Sequence, residues 1–210
     1  MNRILIFANG TLSNQFLRDI RSTDYLIGVD RGAHWVITHG IHPDIAVGDF
    51  DSVTAGEFAL IRKKSGKLVR YPAEKDATDT ELAVHTAIGK KPEEVIIFGG
   101  IGTRLDHVLG NIHLLEILHN RGIVAYLRDE RNEIFLLSSR RTIKQSSRYR
   151  YVSLLPYTGT VTVSLRGFKY PLSRAVLRRG STRGVSNEIT ANEAIIDVYE
   201  GIALVIRSKD

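Results

Sequence analysis

The feature that most constrains the fold is an alternation of short apolar runs with helix-like stretches through the first two thirds of the chain. Short runs rich in Ile, Val and Leu, bounded by turn residues, are typical of strands buried on both faces of a parallel sheet. The alternation therefore predicts an α/β domain with a doubly wound, mostly parallel sheet that is covered by helices. The expected strands are Arg3–Ala8, Tyr25–Val29, Ile45–Val47, Leu68–Tyr71, Glu94–Phe98 and Ile123–Leu127, with a possible further strand at Glu133–Leu137. The expected helices are Ser13–Arg21, Ala33–His39, Thr54–Lys64, Thr78–Lys90 and Thr103–Asn120.

The sequence changes character near residue 138. The segment SSRRTIKQSSRYR, residues 138–150, is polar and has no strong helical period, so we interpret it as a linker. After it, the β-branched runs YVSLLPY, GTVTVSL, EAIIDVY and IALVIRS alternate with turn residues and predict a small antiparallel β-sandwich domain. The expected organisation is an α/β domain over 1–137, a linker over 138–150 and a β domain over 151–210.

Composition excludes several classes of protein. The 210 residues include no cysteine, so disulfides and thiolate metal sites are excluded and a cytoplasmic protein is the simplest interpretation. No apolar run approaches the roughly 20 residues of a membrane span, so no membrane partner is expected. The net charge of +6 would suit a nucleic acid, but the basic residues are scattered and no platform of interleaved aromatic and basic residues is visible. We therefore expect no nucleic-acid partner.

Acidic residues follow several of the predicted strands. Asp30 follows the second strand, the sequence GDFDS with Asp49 and Asp51 follows the third, and Asp76 and Asp79 follow the fourth. In an open α/β sheet these loops meet at the carboxyl edge, where ligands bind. Clustered carboxylates repel one another unless a cation lies among them, and their oxygens suit Mg²⁺ together with substrate phosphates.

Each acidic motif also has a purely structural interpretation. The Asp49–Asp51 pair is compatible with a turn or a helix cap. Thr78 and Glu81 have the spacing of a capping box, and Asp79 would favour the dipole of the helix that begins there. Only the convergence of several acidic loops makes a metal site the better hypothesis.

The loop after the fifth strand has the sequence GGIGTRLDH. Its glycines, including Gly100, resemble a phosphate-binding turn before a helix, although neither the Walker pattern nor the dinucleotide fingerprint is complete. Arg104 is placed to clamp a phosphate, the alternative being a surface salt bridge. In the β domain, Ser186 and Asn187 are ordinary turn formers when judged by their chemistry alone.

Taken together, five motifs resemble the thiamine pyrophosphokinase family in order and spacing across nearly the whole chain. They are VDRGA (Val29–Ala33), GDFDS (Gly48–Ser52), KDATDTELA (Lys75–Ala83), GGIGTRLDH (Gly99–His107) and GVSN (Gly184–Asn187). The resemblance implies a nucleotide-binding catalytic α/β domain followed by a thiamine-binding β-sandwich domain, in a homodimer whose active sites are shared between subunits. It also implies transfer of pyrophosphate from ATP to the hydroxyl of thiamine, with Mg²⁺ as cofactor and AMP as the second product.

The resemblance further implies a role for each matching residue. Asp49, Asp51 and Asp79 are the expected Mg²⁺ ligands, with Asp76 and Thr78 beside the metal and phosphates. Asp30, Gly32, Gly100 and Arg104 are expected to hold the nucleotide, Asp106 to lie near the reacting hydroxyl, and Ser186 and Asn187 of the partner subunit to contact the thiamine ring. Some family members stack a tryptophan on thiamine, but no tryptophan follows Trp35 here, so either Tyr170 or Tyr199 replaces it or the stacking is absent.

Two other functions remain compatible with parts of the sequence. A haloacid-dehalogenase-like phosphatase also uses an Asp-x-Asp pair on a Mg²⁺ site, although there the pair follows the first strand, and here it follows the third. A basic RNA-binding protein would suit the isoelectric point of about 9.6 and predicts binding with a steep salt dependence.

Overall fold

A computed structural model describes residues 2–210 and divides the chain into two compact units, Met1–Glu130 and Arg131–Asp210. We call them the N-terminal unit and the C-terminal unit. Among the described residues, no helix combines the length and the apolar character needed to cross a membrane.

The N-terminal unit is the expected α/β domain. Its strands pair in parallel in the order β6-β5-β1-β2-β3-β4. The strands are β1 (Arg3–Phe7), β2 (Tyr25–Val29), β3 (Ile45–Gly48), β4 (Lys67–Arg70), β5 (Glu94–Phe98) and β6 (Val124–Arg128). The helices are α1 (Arg31–Thr38), α2 (Ala55–Lys64), α3 (Asp79–Ile88) and α4 (Leu105–His119). The helix expected at Ser13–Arg21 is instead a short 3-10 helix, Asn14–Asp19, which Ser13 caps.

The strand order places the switch point of the sheet beside β1. The chain runs from β1 through β2 and β3 to β4, and then returns to the other side of β1 with β5. The loops after β1 and β5 are joined there, because the Gly10 N–H donates to the Gly99 carbonyl over 2.8 Å. Crevices of this kind at the carboxyl edge are where open α/β sheets bind ligands.

An aromatic cluster holds the centre of this unit. The Phe7 and Phe98 rings on neighbouring strands have centroids 5.3 Å apart, and Phe16 from the 3-10 helix stacks on Phe98 at 4.6 Å. Trp35 of α1 is partly buried and stacks on Phe7 from the helical layer, with ring centroids 6.0 Å apart. This packing fixes the strand ends from which the polar loops emerge.

The C-terminal unit is the expected antiparallel β domain. Its two groups of strands pair in the orders β12-β9-β14-β7 and β11-β10-β13-β8. The strands are β7 (Asn132–Leu137), β8 (Arg141–Lys144), β9 (Tyr151–Pro156), β10 (Thr160–Arg166), β11 (Leu172–Arg178), β12 (Asn187–Glu188), β13 (Glu193–Glu200) and β14 (Ala203–Ser208).

The boundary between the units differs from the expected division into 1–137, 138–150 and 151–210. β7 pairs antiparallel with β14, so it belongs to the C-terminal unit and not to the α/β domain. The segment 138–150 contains β8, which pairs with β13 and is therefore not a linker. Its composition is polar because β8 is an edge strand that buries one side chain, Ile143, and leaves Thr142 and Lys144 exposed.

Candidate active site

Asp30, directly after β2, ties three strand-end loops together. Its side chain is 1% exposed. Its Oδ1 accepts a hydrogen bond from the Phe50 N–H at 3.0 Å, and its Oδ2 accepts one from the Asn9 side-chain amide at 3.1 Å. The loops after β1, β2 and β3 are therefore fixed to one buried carboxyl group.

The turn after β3 requires glycine at position 48. Gly48 has a φ of 150°, and a Cβ atom there would lie 1.7 Å from Asp30 Oδ1. Phe50 adopts a left-handed φ of 61° and buries its ring against Phe58, with centroids 5.1 Å apart. On either side of the buried Phe50, Asp49 is partly buried and Asp51 is exposed.

Three carboxylates converge at this edge of the sheet. One oxygen each of Asp30, Asp49 and Asp79 lies within 4.8 Å of the other two. Lys75 lies between two of them, with its Nζ 2.8 Å from Asp49 Oδ2 and 2.8 Å from Asp79 Oδ1. The buried Asp79 Oδ1 accepts no well-directed hydrogen bond from the described residues, so its approach to Lys75 is a contact of opposite charges.

The carboxylates fit a divalent ion. Two oxygens bound to one Mg²⁺ are separated by at most about 4.2 Å, because each bond is about 2.1 Å long. The observed spacing within 4.8 Å needs only small side-chain movements to reach that value. Asp79 Oδ1 is the strongest candidate for a metal ligand among these atoms, because it is buried and accepts no well-directed hydrogen bond from the described residues.

The structure groups the acids differently from the predicted ligand set of Asp49, Asp51 and Asp79. Asp30 joins Asp49 and Asp79 in the cluster, whereas Asp51 is exposed and lies beside Asp49, to which its N–H donates over 3.1 Å. The ligand role of Asp51 stays a prediction. Lys75 and Asn9 received no role from the sequence, although each lies in a polar loop that follows a strand.

Burial and charge shift the acidities in this cluster. Burial raises the pKa of Asp30 to about 6, with a further contribution from the negative charge of Asp79. The hydrogen bond from Lys75 lowers the pKa of Asp49, and the Asp49 side chain raises the pKa of the adjacent Asp51. Burial works against the charged form of Lys75, but its contacts with Asp49 and Asp79 outweigh burial and raise its pKa.

Arg104 and Asp106 form a separate pair where α4 begins. The Arg104 guanidinium contacts the Asp106 carboxylate through two hydrogen bonds of 2.6 and 3.3 Å. Their side chains are 69% and 64% exposed. The Arg104 hydrogen bond lowers the pKa of Asp106 to about 2. A carboxylate this acidic can accept a hydrogen bond at neutral pH but is a weak proton acceptor.

The other predicted residues of the N-terminal unit lie around these two groups. Thr78 caps α3, and its Oγ1 accepts from the Glu81 N–H at 3.2 Å, which accounts for half of the expected capping box. Asp76 is exposed in the loop before α3. The Gly100 carbonyl accepts from the Asn111 amide at 2.8 Å. Gly32 lets α1 approach β1, because a Cβ atom there would lie 2.0 Å from the Phe7 carbonyl oxygen.

Two cavities adjoin these residues in the N-terminal unit. One of about 220 Å³ lies between α3 and α4 and is lined by Thr78, Glu81, Asp106, His107, Gly110, Asn111 and Leu114. The other, of about 230 Å³, opens beside the switch point and is lined by Ala8, Asn9, Gly10, Leu12, Arg31, Gly32, His34, Trp35 and Thr38. The predicted residues Thr78 and Asp106 thus share one cavity, and Gly32 lines the other.

In the C-terminal unit, Ser186 is accessible to a ligand and the Asn187 side chain is not. The Asn187 side chain is buried and committed to the Tyr170 backbone, accepting its N–H at 3.0 Å and donating to its carbonyl at 2.8 Å. Ser186 is exposed, has a left-handed φ of 58°, and donates its N–H to Ser153 Oγ at 3.0 Å. Tyr170 and Tyr199 are 60% and 45% exposed, and a basic side chain lies over each ring, with Lys169 Nζ 5.7 Å and Arg174 Cζ 4.4 Å from the respective centroids.

A doubly wound α/β unit with an acidic carboxyl edge, followed by an antiparallel β unit, defines a two-domain α/β enzyme class that binds its ligands at the strand ends. The thiamin pyrophosphokinase catalytic domain matches residues 16–127, and the vitamin B1 binding domain of the same family matches residues 140–203. The chain belongs to the thiamin pyrophosphokinase family.

Individual relatives agree with this assignment. The thiamine pyrophosphokinase of Bacillus subtilis is 39% identical over 186 residues, which are 88% of this chain and 87% of the relative. A crystal structure of the Bacillus subtilis protein superposes with a TM-score of 0.93 at 34% identity and covers 100% of both chains. The thiamin pyrophosphokinase of Geobacillus thermodenitrificans gives a TM-score of 0.90 at 34% identity, with 99% of this chain and 98% of that chain covered. Neither the phosphatase nor the RNA-binding alternative gains support.

Proposed function

We propose that this enzyme transfers the pyrophosphoryl group of ATP to the hydroxyl of thiamine, releasing thiamine diphosphate and AMP, at the carboxyl edge of the N-terminal unit. The observation that carries the proposal is the convergence of Asp30, Asp49 and Asp79 from three separate loops to within 4.8 Å. Family membership supplies the reaction, and this cluster supplies a place where phosphates and a divalent ion can meet.

Asp49 and Asp79, with the adjacent Asp51, would hold Mg²⁺, and Asp30 would fix the loop that carries two of them. When bound, the ion supplies positive charge to phosphate oxygens and helps to hold the transferred group in line. Asp76 and Thr78 would lie next to the phosphates, because both precede or cap α3, whose first residue is Asp79.

The remaining residues of this unit would bind and orient the nucleotide. Gly32 and Gly100 allow the backbone to approach the phosphates, and Arg104 neutralises charge that develops on the transferred group. The thiamine hydroxyl oxygen forms a bond to the β-phosphorus while the bond from that phosphorus to the oxygen of AMP breaks. Asp106 orients the hydroxyl by accepting its hydrogen bond, and the hydroxyl proton is released to solvent.

Thiamine recognition would use the C-terminal unit. On the family resemblance, we propose a homodimer in which Ser186 and Asn187 of the partner subunit contribute to each thiamine site. The exposed Tyr170 and Tyr199 rings are the candidate stacking surfaces in place of tryptophan. A cytoplasmic location and the absence of nucleic-acid binding stay predictions from the sequence.

Incubation of the protein with thiamine, ATP and Mg²⁺, followed by mass spectrometry, tests the proposed reaction. We expect thiamine diphosphate and AMP in equal amounts, and neither product when thiamine is omitted. Release of free phosphate without thiamine would instead support the phosphatase. A salt-sensitive complex with RNA and no turnover would support the nucleic-acid alternative.

A further inference from the structure

Lys75 places a positive charge inside the acidic cluster. Its Nζ lies 2.8 Å from both Asp49 Oδ2 and Asp79 Oδ1, and its side chain is 14% exposed. The lysine belongs to the loop between β4 and α3, so it reaches the cluster from the same segment that supplies Asp79. The ammonium therefore contacts two of the carboxylates that the proposed function assigns to the divalent ion.

An ammonium group and a divalent ion cannot both occupy the space between these two carboxylates. We propose that Lys75 is a resident counter-cation, which leaves Asp49 and Asp79 when a divalent ion binds and then contacts the phosphates of the nucleotide. This inference rests on the proposed function, because it assumes that the acidic cluster receives a divalent ion.

The charges of the cluster explain why a resident cation is needed. Three carboxylate oxygens lie within 4.8 Å of one another, and like charges this close repel one another more strongly in a partly buried site than in bulk water. Without a cation, this repulsion would destabilise the loops after β2 and β3. Lys75 relieves the repulsion in the metal-free protein, and its presence weakens the binding of a divalent ion to the same oxygens.

The lysine side chain is suited to the exchange. It carries a compact charge with three donors on a flexible four-carbon stem, and lysine is a frequent point-charge ligand of phosphates. Once displaced, the Lys75 ammonium needs another anion, and the phosphates of a nucleotide held at Gly100 and Arg104 would supply one. Metal and phosphate binding would then favour each other reciprocally.

Mn²⁺ titration of metal-free protein, followed by water-proton relaxation, tests the competition without any measurement of turnover. We expect Lys75→Met to bind Mn²⁺ at least about tenfold more tightly than the wild type, because an opposing charge is gone. The same variant should have a lower melting temperature in EDTA and a larger rise on addition of Mn²⁺. Lys63→Met, an exposed lysine at the end of α2 with the same change in net charge, should match the wild type.

Equal Mn²⁺ affinities of Lys75→Met and the wild type, or no Mn²⁺ binding by the variant at all, would overturn the exchange. Amine acetylation of the wild type, read by peptide mass spectrometry, decides the matter if the variant does not fold. The acetylation rate of Lys75 should rise with Mg²⁺ and fall again when Mg²⁺ and inorganic triphosphate are both present; a rate independent of both overturns the proposal. Failure of the proposed function appears separately, as wild-type protein that forms no thiamine diphosphate.

Discussion

The N-terminal unit holds two groups of charged residues in loops after strands, and they are stabilised in opposite ways. The cluster of Asp30, Asp49 and Asp79 is held by burial, by hydrogen bonds between loops and by the inserted Lys75. The pair of Arg104 and Asp106 is exposed and held by contacts within the pair.

This difference shows how environment sets the chemistry of one residue type. Burial raises the pKa of Asp30 to about 6, whereas the Arg104 guanidinium lowers that of Asp106 to about 2. The buried Asp30 carboxyl holds the loops of the cluster together through hydrogen bonds from Asn9 and Phe50, which limits the movement of the backbone there. The exposed pair is free to exchange its internal contact for a ligand, since surface ion pairs contribute little stability.

The largest expected effect is the loss of activity on breaking the cluster. Asp79→Ala removes a buried oxygen that we propose as a metal ligand, and one of the two carboxylates that contact Lys75. We expect thiamine diphosphate formation to fall about 1000-fold, because charge stabilisation at a metal site contributes several kcal/mol to the transition state. Steady-state kinetics at saturating ATP and Mg²⁺ measure the change.

Glu74→Gln is the matched control for that loss. Glu74 is exposed in the same loop, next to Lys75, and its replacement removes the same unit of charge. Its rate should stay within about twofold of the wild type, as for most surface substitutions. An equal loss in both variants would mean that the general negative charge of the loop matters and not the cluster.

The second effect concerns the exposed pair. Arg104→Ala should lower the turnover about 100-fold, in the range for loss of a group that stabilises developing charge. The melting temperature should be unchanged, because the Arg104 side chain is 69% exposed. A variant with normal turnover would show that the exposed pair is only a surface salt bridge.

The sequence was sufficient for the α/β class of the N-terminal unit and for the loops that carry its acidic residues. Continuous apolar runs identified β1, β2 and β5, because strands of a parallel sheet are buried on both faces. The acids after β2 and β3 and before α3 were found because loops at one edge of such a sheet must be neighbours.

The parts that the sequence did not predict depend on distant contacts. β8 has one buried residue, Ile143, and is recognisable as a strand only through its pairing with β13, some 50 residues later in the chain. The burial of Asp30 was hidden because its partners, Phe50 and Asn9, come from other loops. Lys75 received no role from the sequence, because its position between Asp49 and Asp79 depends on contacts between two separate loops.

The third effect tests whether the cluster depends on the close contact between the Gly48 backbone and the Asp30 side chain. Gly48→Ala introduces a Cβ atom 1.7 Å from Asp30 Oδ1 at a backbone φ of 150°. We expect a loss of about 2–3 kcal/mol in the free energy of unfolding, from backbone strain and displacement of Asp30. Urea denaturation measures this loss, and Gly110→Ala, where a Cβ atom meets nothing within 4 Å, is the control. A normal Gly48→Ala stability would mean that the loop after β3 adapts freely and that the cluster is not preorganised.

The smallest effect is a difference in how the free energy of unfolding depends on pH, between the contribution of the buried cluster and that of the exposed pair. The folded-state pKa of Asp30, about 6, is above its value of about 4 in an unfolded chain. Its contribution to stability is therefore fully present below pH 4 and is lost as the pH rises through 6. Asp30→Asn removes this dependence while keeping an oxygen that can accept from the Phe50 N–H. In EDTA, the unfolding free energy of the wild type minus that of Asp30→Asn should fall by about 2 kcal/mol between pH 4 and pH 7.5.

Asp106 is the comparison for Asp30, because its pKa is shifted in the opposite direction on folding. Its folded-state pKa of about 2 is below the unfolded value, so its contribution is present above pH 4 and is lost only in more acidic solution. The wild type and Asp106→Asn should therefore differ by a constant amount between pH 4 and pH 7.5. If the Asp30→Asn difference were equally flat, the Asp30 carboxyl would be as freely ionised as an exposed one. The contrast between a buried, preassembled cluster and a solvent-exposed pair would then no longer distinguish the two regions.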